Sequence, residues 1–151
     1  MRLCRFGCQG ETGCGRIEGS AVSICRGDLL GAMEPTGVTL PLADVRLLAP
    51  LLPGKIIGIA RNYTAHALEF GNVPPEEEPM IFLKPPSAVI SPGDAIILPA
   101  VSKRVDHEAE LGVVIGRTAR NIPEDDDPLR YVLGYACVND VSARDLQKKD
   151  I

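Results

Sequence analysis

The sequence predicts a mainly β protein of the α+β type, and three observations carry that prediction. Fifteen glycines and thirteen prolines stand among 151 residues, roughly 19% where an average chain has nearer 12%. Such punctuation breaks long helices and favours short strands joined by turns. Short apolar-bearing runs recur along the chain, and only one stretch carries both a start and a stop signal for a helix. The composition, 45% hydrophobic and 24% charged, is that of a globular chain.

Taken in order, residues 2–7, 15–25 and 37–42 are apolar-bearing runs separated by Gly and Asp, and residues 1–50 read as a small β-rich N-terminal domain. Residues 47–54 hold two prolines and a glycine and read as a linker, so that a second domain occupies 51–151. Residues 55–60 form a buried strand. Asn62 is placed to cap a short helix running through Thr64, Ala65, His66, Ala67, Leu68 and Glu69, with Gly71 as its stop. The proline- and glutamate-rich residues 73–79 are a surface loop. Strands are expected at 80–84, 95–98, 109–115 and 131–138, separated by loops around Pro85-Pro86-Ser87, Ser91-Pro92-Gly93-Asp94 and the acidic 124–128.

Composition also excludes function classes. The net charge of −4, three tyrosines, three phenylalanines and no tryptophan argue against a phosphate-backbone binder and against a stacking platform for single strands. No apolar run approaches the roughly 18 residues of a membrane span, and the first residues lack the apolar stretch of a signal peptide. Cys4, Cys8, Cys14, Cys25 and Cys137 are odd in number, contain no CxxC pair, and fit no standard zinc spacing. They are expected as reduced thiols, and the expected compartment is the cytoplasm.

The stretch Asp106-His107-Glu108-Ala109-Glu110-Leu111-Gly112-Val113-Val114-Ile115 is the most informative. Residues two apart in a strand share a face, which puts Asp106, Glu108 and Glu110 on one side. The strand carries apolar residues on both faces and is expected to be covered on both. Two glutamates at the mouth of a buried region repel each other, so either their pKa values rise or a cation sits between them. Carboxylate oxygens select hard cations such as Mg2+, Mn2+ or Ca2+. His107-Glu108 does not begin an HExxH zinc motif, because Leu111 stands where the second histidine is needed. Asp140 falls just beyond the strand at 131–138, either as a turn residue or as a further ligand. His66 and Glu69 are i and i+3 on the short helix, either a surface pair or a general base with its orienting carboxylate.

Four motifs then occur in an order that resembles the fumarylacetoacetate hydrolase family: Gly58-Ile59-Ala60-Arg61-Asn62-Tyr63-Thr64-Ala65-His66; Phe82-Leu83-Lys84-Pro85; Asp106-His107-Glu108-Ala109-Glu110-Leu111; and Asn139-Asp140-Val141-Ser142-Ala143-Arg144-Asp145-Leu146-Gln147. The resemblance covers roughly residues 55 to 150. It implies a mixed β-sandwich roll, dimeric when complete, with one divalent metal (Mg2+, Mn2+ or Ca2+) per subunit. By that resemblance Glu108, Glu110 and Asp140 are the metal ligands, and His66 and Glu69 the dyad that activates water or moves protons. Arg61, Tyr63, Lys84, Arg144 and Gln147 line the pocket, and Asp145 is structural, orienting Arg144.

The implied substrate is a small keto acid or 1,3-diketo acid. The implied reaction is hydrolysis of a C–C bond in an acylpyruvate or fumarylacetoacetate-type compound, the metal polarising the carbonyl and stabilising the enolate. The same site serves isomerisation of 2-hydroxyhepta-2,4-diene-1,7-dioate or 5-carboxymethyl-2-hydroxymuconate, or decarboxylation of oxaloacetate, as in the breakdown of aromatic compounds. Family members continue past the last motif into a segment with an active-site lysine, glycine-rich pocket walls and further strands. The resemblance therefore implies a roll incomplete at its C-terminus, with core-facing residues of 111–115 exposed. The chain is then either the N-terminal part of the metal-dependent enzyme or a non-catalytic remnant.

Overall fold

Arg2–Cys8 (β1) and Glu11–Glu18 (β2) form an antiparallel hairpin across the two-residue turn Gln9–Gly10. In this computed structural model residues 1–69, 71, 73, 75 and 78–150 are described, the side chains of His66 and Asp150 excepted. A second hairpin joins β2 to Ala21–Gly27 (β3) through Gly19–Ser20, with Glu18 opposite Ala21. Gly19 takes φ 60° there, the backbone that the first central position of such a turn requires. The single run read at 15–25 is therefore two strands, split by a turn of only two residues. Met33–Pro41 (β4) and Arg46–Leu48 (β5) complete a five-stranded antiparallel sheet in the order β4-β3-β2-β1-β5. The strand β5 corrects the linker reading of 47–54, because Leu47 and Leu48 pair with Phe6 and Arg5. Two prolines further on had masked a three-residue edge strand.

This sheet buries apolar residues on both of its faces. Cys4, Phe6 and Val22 form one core, against which Ile17, Ile24, Leu40 and Leu47 pack. Cys14, Cys25 and Leu29 form the other, backed by Leu3, Met33 and Leu51. The Phe6 ring lies over Gly13 on the neighbouring strand, where a side chain would meet it at 2.8 Å.

Ile56–Ala60 (β6) and Met80–Lys84 (β7) pair antiparallel, and Phe82 lies over Gly58 in the same manner. Between them runs the helix Thr64–Glu69 (α1). Its first backbone bond runs from the Ala67 N–H to the Tyr63 carbonyl, so Tyr63 rather than Asn62 is the half-in residue at its start. Gly71 ends it with φ 69° and an N–H donated to the Leu68 carbonyl. The loop expected at 73–79 lies partly outside the described residues. Residues 95–98 form no strand: among the described residues they have no ladder partner, and Ile97 is 83% exposed. Apolar character there had read as a strand, but a strand is made by its neighbour.

By compactness the chain divides into Met1–Asp94, described above, and Ala95–Ile151. In the second unit Ala109–Ile115 (β9) pairs antiparallel with Val132–Asn139 (β10). Val105–Asp106 (β8) pairs with Ser142–Ala143 (β11), which leads into the helix Arg144–Asp150 (α2). Asp145 in the first turn of α2 and Lys148 and Lys149 in the last suit the helix dipole. In the acidic connection between β9 and β10, Asp127 caps a 3-10 turn through the Leu129 N–H, and Asp126 binds Arg130 and Tyr131.

The strand β9 departs from the expectation of cover on both sides. Its Glu110, Gly112 and Val114 face is half-buried, while Leu111, Val113 and Ile115 are each half exposed or more, as is Tyr135 opposite Val113. Only a second layer buries both faces of a strand, and among the described residues none covers that side. The mainly β class is as the sequence predicts.

Candidate functional site

The carboxylates are assembled by the register of one ladder. Glu110 stands opposite Val138 and Ala109 opposite Asn139. One step further the Asp140 N–H donates to the Glu108 carbonyl at 2.8 Å, which makes Glu108 and Asp140 the next opposed pair. Glu110 lies two residues along the strand from Glu108, so all three carboxylates share one face. Asp140 is buried, and the side chains of Glu108 and Glu110 are half-buried or better. The Glu108 N–H is taken by Asn139 Oδ1 at 3.0 Å, so a side chain ends the ladder where the backbone stops.

Glu108 is held tightly. Its Oε1 accepts from the Ser142 hydroxyl at 2.7 Å and lies 3.1 Å from an Arg144 guanidinium nitrogen. Arg144 Nε donates to Asp106 Oδ2 at 3.0 Å, and its NH1 donates to Gln147 Oε1 at 3.2 Å. The Arg144 and Glu108 side chains are only 12% and 14% exposed, which makes this a largely desolvated pair. The Arg144 N–H donates to the Arg104 carbonyl, tying the start of α2 to the residue before β8.

Asp106, Glu108 and Glu110 keep the expected alternation, each half-buried between the exposed His107 and Ala109, and one Arg144 guanidinium binds both Asp106 and Glu108. The chain breaks between β8 and β9, and Asp106 belongs to a different ladder, opposite Ser142. There it binds Arg104 and Arg144. Asp145 accepts from the Ser102 hydroxyl and the Lys103 N–H. Among the contacts of Arg144 are Asp106, Glu108 and Gln147. Ser142 and Asn139 were not singled out from sequence. Their role depends on the 108–140 pairing, for which the nearby Asn-Asp-Val-Ser run is only a weak signal.

The remaining candidates lie in the first unit. Arg61 follows β6 directly, with φ 55°, and Tyr63 opens α1. Lys84 ends β7 opposite Ile56, whereas the Arg61 end of β6 faces Met80. Arg61 and Lys84 therefore stand at opposite ends of this ladder, roughly 15 Å apart at 3.4 Å per residue. His66 is in α1 three residues before Glu69, and its side chain lies outside what is described.

Hard carboxylate oxygens on one face, one of them buried, are the donor chemistry that Mg2+, Mn2+ or Ca2+ takes. The set formed by Glu108, Glu110 and Asp140 fits such an ion in kind. Among the described residues no three His, Cys, Asp or Glu side chains already converge as a metal centre, and Glu108 is engaged by Arg144 and Ser142.

The aspartates around this site set an acid limit. Hydrogen bonds from Arg104 and then Arg144 hold the Asp106 carboxyl below its ordinary range. The Lys103 N–H and then the Ser102 hydroxyl do the same for Asp145. A carboxyl with a lowered folded pKa stabilises the fold above its unfolded value of about 3.9, and that contribution is lost as the pH falls through the folded value. Melting temperature should thus hold from neutral pH to roughly 4.5 and decline below about 4. Asp106→Asn should show a shallower acid limb in the same melts, and identical limbs would refute the assignment.

A family model described as "Fumarylacetoacetate (FAA) hydrolase C-terminal" matches residues 55–151. The chain belongs to the fumarylacetoacetate hydrolase family. A second model, "Rv2993c-like, N-terminal", matches residues 1–50. Among curated relatives, the mitochondrial oxaloacetate tautomerase fahd2 of Xenopus laevis is 45% identical over 119 residues, spanning 78% of this chain and 37% of that protein. The 2,4-didehydro-3-deoxy-L-rhamnonate hydrolase of a Sphingomonas strain is 39% identical over 99% of this chain and 56% of its own length. The crystal structure of a 5-carboxymethyl-2-hydroxymuconate delta-isomerase from Mycobacterium smegmatis superposes with a TM-score of 0.86 at 42% identity, covering 99% of this chain and 58% of that one. The chain thus spans about half the length of the relatives it matches, and its fold is a partial fold of this family's type.

Proposed function

We propose that this chain supplies the carboxylate site of a divalent-metal-dependent enzyme that hydrolyses a C–C bond in a 1,3-diketo acid of the acylpyruvate type. The observation that supports it most is the placement of Glu108, Glu110 and Asp140 on one ladder face, with Arg144 clamped beside them. Those three residues would hold the cation, which when bound supplies Lewis acidity toward the oxygens of a chelating keto acid. Arg144 and Asp106 fix the direction of the Glu108 carboxylate, and Gln147 fixes Arg144. Arg144 and Gln147 would offer hydrogen-bond donors to the substrate's carboxylate and carbonyl groups, and the family resemblance gives Arg61, Tyr63 and Lys84 the same role. By the family resemblance, His66 with Glu69 would take the proton from water as it adds to the distal carbonyl.

A second reading keeps the site and changes the reaction. The same residues moving a proton between carbon and oxygen would perform a tautomerisation or isomerisation, and the presence of a tautomerase and an isomerase among the relatives favours it. Acylpyruvate cleavage, followed against interconversion of the enol and keto forms of oxaloacetate, separates the two.

Metal binding tests both. With Mn2+ and oxalate at about a hundred times the dissociation constant, the chain should gain roughly 2.7 kcal/mol, a rise of about 5–10 °C in Tm. Glu110→Ala should abolish that rise. No rise in the parent chain, or an equal one in the variant, would remove the carboxylate face as the metal site.

A further inference from the structure

Cys14 on β2 stands directly opposite Cys25 on β3, so the two side chains share one face of the sheet. Both are buried, and they form a small core with Leu29. Cys14 Sγ lies 3.5 Å from the Cys25 carbonyl oxygen and 3.4 Å from that of Gly27, while Cys25 Sγ leans toward Ser23. Cys14 and Cys25 are also among the residues lining a pocket of about 270 Å³, with Arg5, Thr12, Asp28 and Leu29, and that pocket is the route by which a small reagent would approach them.

We propose that Cys14 and Cys25 are a redox-modifiable dithiol that a low-molecular-weight disulfide converts to a cross-strand disulfide. Opposed residues of an antiparallel pair hold their Cβ atoms about 4.5–5.5 Å apart, and a disulfide needs about 3.5–4.5 Å. Closure asks for a rotation about χ1 and a shift of about an ångström or less. The register shift between Ser23 and Cys25 on the β4 side of β3 supplies local give. One thiol, as thiolate, attacks the small disulfide and releases one small thiol. The second then displaces the other, so two S–H bonds are lost, one S–S bond forms, and both protons leave on the two released thiols. Cys4 is not a competing partner, because it pairs opposite Gly15 and packs with Phe6 and Val22 in the core of the other face.

The reduced chain, incubated below its Tm with oxidised glutathione and digested without reductant, gives the readout. The expected product is a linked peptide pair holding Cys14 and Cys25, lighter by two hydrogens, with Cys4 still alkylatable. Its Tm should exceed that of the reduced chain by several degrees and return on reduction, since the link restricts the unfolded chain. Cys4→Ser should form the same link, and Cys14→Ser should form none. A persistent glutathione adduct on either residue without a link would overturn the proposal, as would pairing through Cys4 or thiol loss confined to Cys8 and Cys137. Mapping the parent chain decides the matter even where a serine variant does not fold.

Discussion

Arg144→Ala should lower the melting temperature by roughly 6–12 °C, from a loss of about 3 kcal/mol at 2–4 °C per kcal/mol. The guanidinium reaches Asp106, Glu108 and Gln147 within 3.0 to 3.2 Å. The side chains of Arg144 and Glu108 are each less than 15% exposed. Deleting one member of a desolvated pair strands the charge of the other, which costs more than the pair contributed when intact. Arg144→Lys should fall between parent and alanine variant, because a single ammonium cannot span three acceptors set out for a planar fork. Arg130→Ala is the control. Its pair with Asp126 has the arginine 58% exposed, and solvent-screened pairs of that kind contribute little to stability. Equal Tm losses in Arg144→Ala and Arg130→Ala would show that the cluster is no more than surface charge.

Gly27→Ala should cost about 3 kcal/mol or more, as a strained backbone adds to a steric clash. Gly27 sits at the β3 end of the hairpin to β4, opposite Met33, with φ 101°. A Cβ there would lie 2.0 Å from the Ala32 carbonyl oxygen. Backbone cannot swing aside as a side-chain tip can, so the strands themselves must part. Gly54→Ala is the matched control, since nothing lies within 4 Å of its Cβ position and its φ is ordinary. Chemical denaturation of both variants checks this, and a Gly27→Ala midpoint within error of Gly54→Ala would sink it.

The strands β6, β7, β9 and β10 were legible because each announces itself within its own residues. Each is a largely apolar run of five to eight residues bounded by turn residues. Residues 95–98 show the limit of that signal. Their Ala-Ile-Ile-Leu run is as apolar as β7, but a ladder needs a second strand at the right distance. Nothing in four residues reports whether one arrives. The edge strand β5 failed in the opposite direction, its three residues hidden beside prolines.

The candidate site divides along the same line. Residue types and period-2 spacing were enough to single out Glu108 and Glu110 as a same-face pair, for which a hard cation is the proposed partner. That Asp140 joins them follows from the 109–139 pairing, a contact between residues thirty apart in sequence. That one guanidinium reaches both Asp106 and Glu108 follows from the pairing of β8 with β11, which brings Arg144 beside them. The opposition of Cys14 and Cys25 hangs on the two-residue turn at Gly19–Ser20, which sets the register of the whole hairpin.

The mainly β class and most of the strands were thus legible in local sequence, because periodicity and residue type act over a few neighbouring positions. Which carboxylate faces which, and which guanidinium holds Glu108, was settled only in three dimensions. Ladder register and charge pairing are decided between distant segments, and shifting a strand by one residue turns every side chain to the other face.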